Sequence, residues 1–129
     1  TMPTDGLRQF RDTIAEAKTV GLATLKDAQW QLGQKIRDLL SRHGFASVAA
    51  EGYQAPGVVV AYTDRDDIKS GAAFAKHGLQ IASGVPLKIG EPDSFKTFRV
   101  GLFGLDKLTD IDRTVQHFQQ GLQNVLAEG

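Results

Sequence analysis

Arg99 is the residue whose type and position point most directly to chemistry. It lies in the middle of a predicted strand, between Phe98 and Val100, and shares a strand face with Gly101, where a ligand can approach the backbone closely. A guanidinium stays charged and presents a planar pair of donors that matches a carboxylate. The pattern predicts one of two roles: a receptor for the carboxylate of a small substrate, or an arginine at the sheet rim, ion-paired with Asp or Glu.

The three histidines do not have the spacing of a metal site. His43 and His77 each precede a glycine and are typical of helix C-termini, where a protonated imidazole complements the helix dipole; His117 lies inside a predicted helix. The chain has no cysteine, which excludes thiolate ligands, disulfides and a cysteine nucleophile. We therefore expect no metal in this chain.

Acidic residues cluster at Asp64, Asp66 and Asp67. The glycine and the terminal glutamate of an EF-hand calcium loop are absent there. Thr63 with Asp66, and Asp64 with Asp67, have the spacing of a capping box, so we expect these residues to cap a helix that runs to Lys76 or His77.

Length and composition indicate one domain over residues 1–129 and exclude several classes of partner. The chain has 129 residues, 41% of them hydrophobic and 23% charged, which is enough to bury a core. Fifteen Lys and Arg balance fifteen Asp and Glu, so we expect no nucleic-acid partner. The cations of the second predicted helix, Arg37 among them, alternate with acids and are predicted to form a solvated face. No apolar run approaches the roughly 20 residues of a membrane span, and we expect no membrane partner and a cytoplasmic location.

Hydrophobic periodicity predicts the elements that position Arg99. Apolar residues recur every three or four positions from Leu7 to Leu39, which predicts a long helix that ends at His43–Gly44. An unbroken helix of this length would reach past its own domain, and the alternative that we prefer is a break at Gly21. Trp30 on this helix is predicted to pack in the core or at an interface.

The rest of the chain alternates between strand and helix patterns. Strands are predicted at residues 45–50, 58–62, 79–82 and 97–103, with one helix before the third strand, an irregular connection over 83–94 and a last helix from Asp110. The fold expected from this order is a two-layer α+β sandwich. Its small, mainly antiparallel sheet carries helices on one face and is preceded by a long N-terminal helix or helix pair.

The segment Phe98-Arg99-Val100-Gly101-Leu102-Phe103-Gly104, followed by a helix with Ile111-Asp112-Arg113-Thr114-Val115, resembles the C-terminal small domain of class V aminotransferases. These are fold type I enzymes that use pyridoxal 5'-phosphate, and the alanine-glyoxylate and serine-pyruvate group is the most similar. The likeness continues through the glycine turn of residues 78–84 and the opening Thr1-Met2-Pro3. The loop over residues 85–98 departs from the family, since it is longer and lacks a Gly-Pro-Ser run.

The resemblance implies roles for two residues. Arg99 would bind the α-carboxylate of a small amino acid or 2-oxo acid, and Thr1 would contact the cofactor phosphate of the neighbouring subunit in a homodimer. The Schiff-base lysine lies in the family's large domain, and none of the eight lysines here corresponds to it. This chain would then contain no catalytic residue, would be inactive alone, and would be the small domain of a longer transaminase.

The sequence is compatible with three other hypotheses. The chain could be a stand-alone α+β module that binds a small carboxylate, a dimerisation module whose long amphipathic helix is the interface, or the corresponding domain of a 2-aminoethylphosphonate transaminase.

Overall fold

Two helices that meet at a single glycine open the chain. In the computed structural model, which describes residues 3–129, α1 is Thr4–Val20 and α2 is Leu22–Arg42. Gly21 between them has φ 101°, a backbone conformation that side chains with a Cβ rarely adopt. The predicted break at Gly21 is confirmed, and so is the end of α2 at His43, its C-cap residue.

A small antiparallel sheet follows, made of β1 (Val58–Tyr62), β2 (Ala82–Ser83) and β3 (Thr97–Gly101). The strand order is β1-β3-β2, so β3 is the central strand. Arg99 pairs with Val60 of β1 on one side and with Ala82 of β2 on the other. The α+β class and the antiparallel sheet are confirmed.

Two predicted strands differ from what the structure shows. Residues 45–50 form only an isolated bridge, Ser47 to Ala61, because the chain turns away where Tyr53 N–H donates to the Ala50 carbonyl. The strand predicted at 79–82 starts only at Ala82, since Leu79 N–H donates to the Phe74 carbonyl at the end of a helix instead of joining the sheet.

The helix predicted from Thr63 is divided into α3 (Asp66–Lys69) and α4 (Ala72–Ala75) by Gly71, whose φ is 84°. The predicted capping boxes are wrong: α3 has no side-chain cap, and the Thr63 hydroxyl accepts from Arg65 N–H, 3.1 Å away. Two helices close the chain, α5 (Leu105–Leu108), which the sequence pattern did not predict, and α6 (Ile111–Ala127).

The hydrophobic core lies between one face of the sheet and helices α2, α3, α4 and α6. Phe74 is stacked between Phe98 and Phe118, with ring centroids 6.0 and 5.9 Å away, and Phe45 meets Phe98 edge to face. Helix α1 contributes no buried residue, and almost all of its side chains are exposed. No helix among residues 3–129 combines the length and the apolar character needed to cross a membrane.

Helix α2 comes into close contact with the loop before β1 at Gly33. A Cβ added to Gly33 would lie 2.6 Å from the carbonyl oxygen of Pro56, which is backbone and has little room to move. Gly33 therefore lets the helix touch the loop directly.

We predict that Gly33→Ala lowers the free energy of unfolding by about 1–3 kcal/mol, because overpacking outweighs the gain in helix propensity. Gly6→Ala in α1 is the matched control, since its nearest neighbour would be Pro3 Cβ at 3.7 Å, an ordinary contact. Urea unfolding of both variants measures the difference. Equal stability of the two variants would contradict the close contact.

Candidate functional site

Arg99 lies on the face of the sheet that the helices leave open. Its neighbours in β3, Phe98 and Val100, are buried in the core, so alternation places Arg99 on the opposite face. The residues paired with Arg99 on this face are Val60, which is half-buried, and Ala82, which is exposed. The face around the guanidinium is therefore accessible and lined by small or aliphatic side chains.

The Arg99 guanidinium has one hydrogen-bond partner in the described part of the chain. Its Nε donates to the Ser83 carbonyl oxygen, 3.0 Å away, across the β2–β3 pair. No carboxylate within residues 3–129 lies within 4.0 Å of it. The ion pair with Asp or Glu, which was the alternative role predicted for Arg99, therefore does not form there. The bond to Ser83 orients the side chain, and the two terminal nitrogens are left to take a planar anion.

Gly101 continues the open face beyond Arg99. It is exposed, pairs with Val58, and a Cβ built on it would meet no atom within 4 Å. The backbone can thus be approached at the position two residues from the guanidinium, as the alternation predicts.

A cavity of about 300 Å³ lies at the other end of β3, where the loop after β2 folds back against Thr97. Gly84 packs directly on the Thr97 backbone, and a side chain at this position would collide with it. Lys69 and Glu91 also line this cavity, but Arg99 does not. The cavity and the guanidinium are therefore separate features of the same strand.

Glu91 holds the turn of this loop. Its carboxylate accepts from the backbone N–H groups of Lys88 and Ile89, 2.7 and 2.8 Å away, and Lys88 has φ 59° in the left-handed region. These hydrogen bonds keep the pKa of the Glu91 carboxyl below its ordinary value. The carboxylate satisfies donors that this strained turn leaves unpaired.

The acidic cluster is used in surface ion pairs. Asp66 lies 2.9 Å from Lys96, which donates to it and lowers the pKa of its carboxyl, and Arg65 does the same for Asp67. Within residues 3–129 no three His, Asp or Glu side chains are grouped as metal ligands. His43 Nδ1 is bonded to the Leu39 carbonyl, 2.9 Å away, which matches its predicted place at a helix end.

Thr1 lies outside the described residues. Trp30 is half-exposed, so it is not part of the core. The prediction that Arg37 belongs to a solvated face is wrong: the residue is 7% exposed, because it follows Gly33 by one helical turn on the buried side of α2. No local signal marked this burial, because the spacing from Gly33 does not show which side of α2 faces the loop.

Comparison with solved structures places this fold within larger enzymes. An alanine–glyoxylate aminotransferase from Nostoc sp. superimposes with a TM-score of 0.65 at 19% identity, over 84% of this chain and 28% of that chain. An aspartate aminotransferase of subgroup IV from Thermus thermophilus gives a TM-score of 0.52 at 19% identity, over 75% and 26% of the two chains. No protein-family model and no curated protein matches the sequence. The fold is that of a segment of these two aminotransferases, and the chain spans little more than a quarter of their length.

We predict that Glu91→Gln loosens the 88–91 turn, because a neutral amide accepts more weakly than a carboxylate. Since the pKa of Glu91 is lowered in the fold, the stabilising contribution is present above its ordinary pKa and is lost as the pH falls through the lowered value. The protection factors of the Lys88 and Ile89 amides, which correct the exchange rate for intrinsic exchange at each pH, should be smaller in Glu91→Gln, and smaller in wild type at low pH than at neutral pH. Asp93→Asn, a neighbouring acid on the same loop, is the control; an equal effect there would argue against the specific role of Glu91.

Proposed function

We propose that this chain is the C-terminal small domain of a pyridoxal-phosphate-dependent class V aminotransferase, in which Arg99 binds the α-carboxylate of the substrate. The observation that carries the proposal is the Arg99 guanidinium, held on the open face of the central strand with no acidic partner within 4.0 Å among residues 3–129. The fold shared with two aminotransferases and the Arg99-to-Gly104 sequence match support it.

The position of Arg99 suits it to orient a substrate. The strand backbone fixes its Cα, and the bond from Nε to the Ser83 carbonyl limits rotation of the side chain. A carboxylate bound by the two terminal nitrogens would be held in one plane and one direction. The bond to be broken at the adjacent carbon would thereby be presented in a constant geometry, which is how positioning lowers a reaction barrier.

The residues of this chain do not by themselves form a cofactor site. Pyridoxal phosphate requires a lysine amine and several phosphate donors, and no lysine is among the strand residues of the open face. Of the lysines elsewhere, Lys35, Lys96 and Lys107 are bonded to Asp112, Asp66 and the Phe103 carbonyl. Under this proposal the large domain of the parent enzyme binds the cofactor, with Thr1 contacting its phosphate across a homodimer.

The surface of α1 supports a position inside a longer polypeptide. Leu7, Phe10 and Ile14 form an apolar stripe, here called the α1 stripe, and Phe10 is 65% exposed. The two solved aminotransferases contain roughly three times more chain beyond the shared segment, since that segment is 28% and 26% of their length. We propose that the remainder of the parent enzyme covers the α1 stripe, rather than a second copy of this domain.

The substrate class follows from the same resemblance. A small amino donor of the alanine or serine type and a small 2-oxo acceptor such as glyoxylate or pyruvate fit the proposal. An aminoethylphosphonate donor would present a phosphonate to Arg99 and is the second candidate, since a guanidinium fork also matches that group.

We predict that Arg99→Ala, in the enzyme expressed from the complete gene, raises the KM for the amino acid by roughly 10- to 150-fold, the effect of losing a charge-assisted hydrogen-bonded pair. Steady-state kinetics measure the KM. The visible absorbance of the bound cofactor should be unchanged, because the proposal places Arg99 on the substrate and not on the cofactor.

Arg42→Ala is the matched control, because it removes the same charge from an exposed position at the end of α2. Its KM should equal that of wild type. An unchanged KM in Arg99→Ala would overturn the carboxylate role. A colourless product of about 14 kDa from the complete gene would overturn the aminotransferase role and favour a stand-alone carboxylate-binding module.

We predict that Phe10→Asp changes the stability of the isolated 129-residue chain by less than about 0.5 kcal/mol, because the side chain buries little there. In the parent enzyme the same change should cost about 3 kcal/mol or more, the loss expected for an apolar anchor covered by protein together with a newly buried carboxylate. Gln9→Asp on the adjacent face is the control, and thermal unfolding of each form measures the difference. A concentration-dependent dimer of the isolated chain that Phe10→Asp dissociates would instead support the dimerisation module.

A further inference from the structure

Arg37 is a buried cation that no carboxylate contacts directly in the described part of the chain. The residue is 7% exposed, and no carboxylate of residues 3–129 lies within 4.0 Å of its guanidinium. Its two hydrogen bonds go to neutral acceptors: Nη1 donates to the Ser47 hydroxyl at 3.0 Å, and Nη2 donates to the Ala55 carbonyl at 2.9 Å. Burying a charge is costly unless it is paired, so this guanidinium favours an anion beside it.

Arg37 lines a cavity of about 200 Å³ between α2 and the edge of β1. One part of the lining is polar and one part is apolar, which is the character of a site for a small amphipathic molecule. Besides Arg37 and Asp38, the polar lining residues are Gln34, Ser41, Ser47 and Gln54, and the apolar ones are Leu40, Phe45, Val59 and Ala61.

The charges around the cavity favour a single negative charge on the ligand. Asp38 is its other ionised lining residue; it is exposed to solvent, and its Oδ1 accepts from Gln34 Nε2 at 2.8 Å. Burial lowers the pKa of Arg37, and the charge of Asp38 only partly opposes this. Asp38 opposes any anion, so a monocarboxylate, which the single guanidinium can neutralise, is favoured over a dianion such as phosphate.

We infer that the Arg37 cavity binds a small aliphatic monocarboxylate, whose carboxylate pairs with the guanidinium and whose alkyl group lies on the Phe45 side of the cavity. This site is separate from that of Arg99. Val59 lies on the core side of β1, whereas Val60, which pairs with Arg99, lies on the other side of the sheet. The inference does not rest on the aminotransferase role.

Titration of the ¹⁵N-labelled chain with sodium propionate tests the inference. The amide signals of Ser47 and Gln54 and the Nε signal of Arg37 should shift and saturate, while propionamide, a neutral molecule of the same shape, should leave them in place at matched ionic strength. Shifts that do not saturate, or that propionamide or sodium chloride reproduces, would overturn the site.

Two variants locate the binding. Arg37→Gln should weaken propionate binding about tenfold or more, the loss expected when a charge-assisted pair becomes neutral. Ser41→Trp should weaken it as well, because the indole enters the cavity from an exposed position and leaves both Arg37 hydrogen bonds in place. Ser94→Trp, at another exposed serine, should bind as wild type does.

If Arg37→Gln fails to fold, Ser41→Trp alone tests the site. Unchanged propionate affinity in Ser41→Trp would overturn the site. In Arg99→Ala, propionate should shift the amide signals of Ser47 and Gln54 as it does in wild type. Failure of the Arg37 site and failure of the Arg99 role are therefore distinguishable.

Discussion

The alternation of β3, the central strand of the sheet, is the constraint on which the rest of the structure depends. Phe98 and Val100 are buried among the helices, so Arg99 must lie on the other face. A shift of one residue in the register would bury the guanidinium and expose two large apolar side chains. The stack of Phe98, Phe74 and Phe118 stabilises the register, and the same packing that forms the core thereby sets the position of the arginine.

Two arginines show how burial changes what one side chain can do. Arg99 is half-buried, makes one bond to a carbonyl and lies on an accessible surface that an incoming domain can cover. Arg37 is enclosed by its own chain and makes two bonds that hold the loop before β1. Arg99 is therefore suited to an anion that another protein surface helps to enclose. Arg37 is suited to an anion small enough to enter a cavity.

The sequence predicted those features that depend on strong periodicity. The break at Gly21, the end of α2 at His43, β1 and the alternation around Arg99 follow from local spacing alone, and each is found in the structure. The prediction of a strand at 45–50 was wrong because only Ser47 bridges to β1. The extent of this pairing depends on tertiary structure, namely on where the chain turns back at Tyr53. The division of the third predicted helix at Gly71 could have been read from the glycine. The burial of Arg37 could not be separated from its charged neighbours without knowing which side of α2 faces the loop.

The α1 stripe has a consequence for how a lone copy of this chain behaves in solution. An amphipathic helix that is tethered at Gly21 and exposes Leu7 and Phe10 can bind other apolar surfaces. Examples are detergent micelles, chaperones and unfolded polypeptides. Solubility of the isolated chain is then governed by its first helix, while the folded state is maintained by the core behind α2.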